Sequence, residues 1–399
     1  MNFFLFLRMR AVKLTATDVA RFHARMLHAS RRRWFLLACT SLAASSAACS
    51  QATNPPDEEL GAARQGATSQ SSLANVSYFG VYARNSVSTA GEDSNVSLAV
   101  QSYYGKKSGS ATINEFDDAS LEKVVRRSEE LAQLAPENPE FMEPLGQQQY
   151  EETKTFFDST ANITPDYRAQ AAANSINPAT KKDITAAGYL EDNRGFSAMM
   201  NTKGLFAYGK STRVNFTVTM RTNDGTGSGW VIRDYNDVSK LDTAEASNIA
   251  IEKALQSRNA KGIEPGKYTV ILEPAAVGDL VGLMLFSMNA RQADEGRSFL
   301  AKKGGGTKLG EKIVDERINI YTDPSHPEVP ALGWAGNGLP RKKLDLIRNG
   351  VVSNMIYDRY WASQKNVAPV PFPGNAIIDG GTASIEDMIK DTKKGILVT

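Results

Sequence analysis

The sequence predicts an α+β fold, and three observations carry that prediction. Val214, Phe216, Val218 and Met220 alternate strictly, the two-residue period of a half-buried strand. Leu121, Val124, Val125, Ser128, Leu131 and Ala132 recur at helical spacing. Asn223-Asp224-Gly225 turns the Val214 strand into a hairpin with the return strand of Trp230 and Ile232, an antiparallel pair in a chain that also carries helices.

The elements follow in order. Phe79, Val81 and Ala83 alternate, as do Val96, Leu98 and Val100, with the turn formers of residues 88–94 between them; this reads as a hairpin. The helix over 121–132 is capped by Asp118 or Ser120 and closed by Pro136. Residues 136–165, rich in Pro, Glu and Gln, form a connection, and a second helix covers about 166–175. Residues 189–208 read as paired strands. The strand of Val214 turns at Asn223-Asp224-Gly225 and returns through Trp230 and Ile232. The run Gly225-Thr226-Gly227-Ser228-Gly229 resembles a phosphate loop in composition only; it lacks a Gly-Lys-Ser/Thr ending and no helix follows, so it is expected to be a flexible hairpin tip. Asp242-Thr243-Ala244-Glu245 opens a helix to about Ser257. A strand over 268–272 precedes a helix with Pro274 at its first position and an apolar face of Val277, Leu280, Val281, Met284, Leu285 and Met288. Strand-like stretches at 312–321 and 346–357 and a short capped helix from Ser384 complete the chain. No internal repeat is present.

The 399 residues suffice for two or three domains. The formal charge of +2 hides an asymmetry. The first fifty residues hold eight Lys and Arg against Asp18 alone; the remainder carries 38 basic and 43 acidic residues, a net −5. A mildly acidic body has no electrostatic footprint for nucleic acid. Both cysteines, Cys39 and Cys49, lie in the first fifty residues, and of three histidines only His326 lies beyond them. The body therefore has no disulfide and no thiolate nucleophile.

Arg31-Arg32-Arg33 followed by Trp34-Phe35-Leu36-Leu37-Ala38 is a basic flank leading into an apolar stretch of signal-peptide length, with small residues after it. Arg32-Arg33-Trp34-Phe35-Leu36 is similar to a twin-arginine signal. The expectation is export to the periplasm or cell envelope, or a cytoplasmic location if the leader does not function. Met26 is an alternative start, and Cys49 a candidate lipidation site, although Ser46 departs from a lipobox. Contact with a membrane is expected only through the signal or that anchor. The expected division is 1–50 export signal, 51–73 disordered linker, 74–140 amino-terminal domain, 141–262 middle domain and 263–399 carboxy-terminal domain.

Four stretches carry a family resemblance: Pro265-Gly266-Lys267-Tyr268 through Glu273-Pro274; Ala293-Asp294-Glu295-Gly296-Arg297-Ser298-Phe299; Leu346-Ile347-Arg348-Asn349-Gly350-Val351 with Tyr357-Asp358-Arg359-Tyr360-Trp361; and Gly380-Gly381-Thr382 with Gly395-Ile396-Leu397-Val398-Thr399. The body resembles the TldD/PmbA family, related to metallopeptidases and called modulators of DNA gyrase. The resemblance implies an α/β amino-terminal part, a β-rich carboxy-terminal domain, and a role in proteolysis or peptide maturation. It further implies hetero-oligomers in which a relative bearing H-E-x-x-x-H holds zinc. Members usually continue past the Gly-Ile-Leu-Val-Thr stretch, so the last domain is expected to be truncated, with an open sheet edge.

At the motif, Pro274 stands in place of the first His, Ala275 of the Glu and Asp279 of the second His. Pro and Ala can neither ligate zinc nor take a proton from bound water. The expectation is a non-catalytic subunit with no catalytic residue, metal or cofactor of its own, zinc residing only in a catalytic TldD-type partner. Peptide is the expected substrate class. Two clusters are candidate groove or interface residues: Arg291, Asp294, Glu295 and Arg297 with Ser298, and Asp358, Arg359 and Trp361 with Tyr360. Ser298 and Thr307 are the hydroxyls a hydrolase would use, but no base stands beside them in sequence. The alternatives are a hydrolase acting through other residues and an envelope binding protein.

Overall fold

The computed structural model describes residues 64–399, with side chains from Asn75 onward. The expected leader, Cys49 and most of the expected linker lie outside the described residues. Among the described residues no helix is long and apolar enough to cross a membrane. The chain divides into two compact units.

The first unit contains the hairpin of β3 (Leu98–Tyr104) and β4 (Lys107–Ile113), the early part of β1 (Arg64–Ala83) paired antiparallel with β3, and helix α1 (Asp118–Leu134). β1 begins inside the stretch expected as a tether. Asp117, and not the expected Asp118 or Ser120, caps α1, its carboxylate accepting from the Ser120 N–H at 3.0 Å and so satisfying one of the orphaned amides. Leu121 and Val124 bury against Leu98 and Val100. Gly109 lets the helix approach the sheet, because a Cβ there would lie 2.2 Å from the Ala132 amide nitrogen.

In the second unit β1 turns into β2 (Ser86–Asn95), antiparallel to it. Residues 88–94, expected as the turn, are strand. The turn is Arg84-Asn85, both with positive φ (52° and 57°), a two-residue loop whose twist matches that of the strands. The Asn85 side chain fixes it, donating to the Ile184 carbonyl at 2.9 Å and accepting from the Ala186 N–H. β1 is followed across the sheet by β5 (Ile184–Asn201), β6 (Phe206–Thr222) and β7 (Ser228–Tyr235), of which residues 197–208, the end of β5 and the start of β6, belong to the first unit. After a single turn, α2 (Asp158–Ala161), helix α3 (Pro165–Lys181) runs six residues beyond its expected end. It and α4 (Thr243–Gln256) share a core with Val214, Phe216, Val218 and Met220, the alternating residues of the sequence. Inside that core Tyr82 donates to Ser175 at 2.7 Å, Ser175 meets Ser247 at 2.8 Å, and Ser247 donates to the Thr243 carbonyl. Burial pushes the Tyr82 phenol up to about 12, with Ser175 acting in the opposite sense.

The glycine run after β6 is not loose. Gly227 and Gly229 pass against α4, where added Cβ atoms would lie 2.1 Å from the Ala254 and Ala250 carbonyl oxygens. The remainder of this unit holds β8 (Thr269–Leu272), helix α5 (Pro274–Ser287), the short α6 (Ala290–Asp294), β9 (Ile320–Thr322), β10 (Leu344–Arg348), β11 (Val351–Val352), α7 (Arg359–Lys365), β12 (Ile377–Ile378), α8 (Ile385–Asp391) and β13 (Gly395–Val398). β13 pairs parallel with β8, and the other strands form a sheet in the order β11-β10-β9-β12. The strand expected over 312–321 shrinks to β9, with Lys312 making an isolated bridge to Val351. The stretch 346–357 is broken by a tight turn at Asn349-Gly350, both at positive φ. The core here is Met288, Leu300, Leu346, Ile347, Val352 and Met355.

Candidate functional site

Helix α5 begins where the resemblance places zinc chemistry. Glu273 is its N-cap residue, yet its carboxylate does not cap the helix. It pairs with Lys253 of α4 at 2.6 Å, both side chains mostly buried, and Lys253 also donates to the Trp230 carbonyl. The Glu273 N–H donates to the Val398 carbonyl at 2.9 Å, tying the helix start to β13. Pro274 and Asp279 are exposed and Ala275 is half-buried. Among the described residues no group of three His, Cys, Asp or Glu side chains could hold a metal ion. The donor set at the helix start therefore does not fit zinc: one carboxylate is neutralised by Lys253 and another, Asp279, stands by itself. His326 lies in a loop, accepting at Nδ1 from the Glu328 N–H and meeting Tyr321 edge-on.

The two polar clusters named from the sequence meet through Arg291, Asp294, Tyr360 and Trp361, while Arg359 is the first residue of α7. The Ala290 N–H donates to the Ile356 carbonyl and the Ile356 N–H to the Met288 carbonyl, which holds α6 beside the approach to α7. Asp358 caps α7 by accepting from the Trp361 N–H at 2.8 Å. The Trp361 indole N–H then donates to Asp294 Oδ2 at 2.8 Å, and Lys365 reaches the same carboxylate at 3.0 Å. Arg291 and Lys365 both lie over the Trp361 ring, at 5.3 and 5.2 Å from its centroid, with Tyr360 also near Arg291. Lys365 lies one turn after Trp361, a spacing that puts it on the same helical face.

Glu295 is exposed, and its pairing with Arg297 first and Arg291 second holds its carboxyl below the usual range. A carboxylate kept ionised in this way is a poor general acid. Ser298 donates to the Ser287 carbonyl at 2.6 Å and accepts from the Leu300 N–H, so its hydroxyl closes a turn. Thr307 accepts weakly from the Leu309 N–H in the loop after Gly304-Gly305-Gly306. Neither hydroxyl has a carboxylate or imidazole partner as an activating base would require. The joined cluster is an ion-paired, aromatic-lined surface feature.

Three domain models of one family match in order: the PmbA/TldA metallopeptidase domain 1 at residues 81–132, the central domain at 150–258 and the C-terminal domain at 265–399. The chain belongs to the TldD/PmbA family. Among TldD/PmbA relatives, a metalloprotease of Methanothermobacter thermautotrophicus is 23% identical over 238 residues, covering 53% of this chain and 50% of that protein. The chain spans about half the length of the curated relatives it matches. A Bacteroides thetaiotaomicron structure bearing a modulator-of-DNA-gyrase name superposes with a TM-score of 0.77 at 18% identity, over 96% of this chain and 82% of that one. TldE from Thermococcus kodakarensis gives 0.72 at 20% identity, over 84% and 78%. At such identities these likenesses establish the TldD/PmbA fold, which is α+β, and leave activity to the site itself.

Proposed function

We propose that this protein is a non-catalytic TldD/PmbA subunit that positions peptide for a relative carrying the H-E-x-x-x-H helix. The observation that carries the reading is the helix start at Pro274: its motif positions hold Pro274, Ala275 and Asp279, and the carboxylate next to them, Glu273, is neutralised by Lys253. The joined surface of Arg291, Asp294, Glu295, Arg297 and Trp361 supports a role in holding peptide or partner, because aromatic and arginine side chains dominate such contacts. The hydrolase alternative loses support from the same geometry, since Ser298 and Asp294 are both committed to structural hydrogen bonds.

Metal analysis and peptide cleavage assays on the purified protein test this reading. The expected result is no stoichiometric zinc and no chelator-sensitive cleavage, with cleavage appearing when an H-E-x-x-x-H relative is added and binds. One zinc per chain together with chelator-sensitive turnover by the protein alone overturns it.

A further inference from the structure

The edge of a sheet carries a row of N–H and carbonyl groups with no strand to bond, a template for pairing that folded proteins cover or guard. In the second unit the chain covers two such edges itself. Along β7, the Ser228 N–H donates to Ser257 Oγ at 2.9 Å, the Ser257 hydroxyl donates to the Ser228 carbonyl at 2.8 Å, and Lys253 donates to the Trp230 carbonyl at 3.2 Å. Along β11, the Val352 N–H donates to the Glu311 carbonyl at 3.0 Å, and the Val352 carbonyl accepts from the Gly310 N–H at 2.8 Å.

The edge of β2 is left open. β2 pairs with β1 on one side, and among the described residues no hydrogen bond joins its main chain to any other segment. Nine of its ten residues are exposed, and it holds no Lys, Arg or Pro to guard it. The one register shift, between Val81 and Tyr82, lies at the turn end; from Thr89 to Asn95 the pairing with β1 is regular. The hairpin is fastened at its turn by the Asn85 bonds to Ile184 and Ala186 of β5. Phe79 of β1 lies across it against Gly91, where a Cβ would come within 2.6 Å of the ring.

The charges on β2 indicate what fits this edge. Glu92 and Asp93 are exposed, and their partners on β1 are Tyr78 and Ser77. Neither acid forms an ion pair with a described residue. Opposite charges across neighbouring strands stabilise a sheet, and like charges directly opposed destabilise it. A strand with Lys or Arg opposite Glu92 or Asp93 therefore matches the edge. A second copy of β2 does not, because it brings two further acids and no base.

We propose that the outer edge of β2 is a strand-addition site for an extended, basic segment of another polypeptide, held through its main chain along residues 89–95 and selected by Glu92 and Asp93. The site uses neither the helix start at Pro274 nor the Trp361 surface, so it does not rest on the subunit reading above.

The probe is a ten-residue peptide of alternating Thr and Val with two central Lys residues, blocked at both ends, a composition that favours extended chain. Fluorescence anisotropy follows its binding to the full chain, and hydrogen exchange locates it. The expected result is saturable binding with slowed amide exchange confined to residues 86–95. The counterpart with two central Glu residues is expected to bind about fivefold more weakly, the scale of charged cross-strand pairs. Glu92→Lys/Asp93→Lys, at two exposed positions, is expected to fold as the wild type does and to reverse that preference. A Lys peptide N-methylated throughout, which has no main-chain donors, is expected not to bind. Of Thr89→Pro and Ala90→Pro, the one that removes an outward N–H should keep the wild-type melting temperature and lose the peptide. Absence of binding, protection outside residues 86–95, equal binding of the N-methylated peptide, or a charge preference unmoved by the double reversal overturns the proposal. Slowed exchange over residues 86–95 in a dimer formed without peptide overturns it as well.

Discussion

Asp224 shows how much one short side chain can organise. It accepts from the Thr222 hydroxyl at 2.5 Å and from the N–H and hydroxyl of Thr226, both at 3.0 Å. These donors, Thr222 first, hold its carboxyl down at about 2, against an ordinary value of 3.8. A carboxylate whose folded value is depressed stabilises the fold above its unfolded value, and that contribution is lost as pH falls through the folded one. The melting temperature of the wild type should therefore exceed that of Asp224→Asn at neutral pH, and the gap should close between pH 3.8 and about 2. A gap that stays constant through that window would falsify the assignment. The Asn223-Asp224-Gly225 turn was legible in the sequence because its residue types fit it directly. The commitment of Ser298 to the Ser287 carbonyl was not, because nothing local distinguishes a turn-closing serine from a nucleophile.

At the scale of elements, glycines decide how closely helices approach the sheet. Gly229 in β7 admits α4, and a Cβ would lie 2.1 Å from the Ala250 carbonyl oxygen and 2.7 Å from the Ala254 amide nitrogen. Backbone atoms of a packed helix cannot move aside as a flexible side chain can, so Gly229→Ala should destabilise by about 3 kcal/mol, the upper part of the range for overpacking. Urea unfolding of the variant is the measurement, and a midpoint equal to the wild type's removes the argument. From composition this glycine run reads as a loose tip, because glycine supplies both flexibility and close approach and composition alone does not separate the two. Leu280 shares the helical spacing of the apolar face of α5 but is exposed. The helical period was right, but a helix apolar on both sides offers no pattern to say which side faces in.

Across the whole molecule, the Lys253–Glu273 pair joins α4 to the start of α5, elements of the second compact unit that belong to different domain models. Lys253→Met should leave the Glu273 carboxylate mostly buried without its cation, at a cost of about 2 kcal/mol, below the figure for a fully buried pair because both groups retain some solvent. Denaturant unfolding followed by tryptophan fluorescence should register the loss, and an unchanged curve would show that the pair holds nothing. The sequence by itself determined the strand period of β6, the helix face of α1, the capped start of α4, the family through its motifs, and the presence of one histidine and no cysteine beyond residue 50, because each rests on local spacing or on residue counts. Only the tertiary structure decided that Arg84-Asn85 and not residues 88–94 makes the first hairpin turn, that Trp361 and Asp294 form one cluster, and that Glu273 is spent on Lys253. Those outcomes depend on which side chains meet across a long stretch of chain, and no local pattern encodes such a meeting.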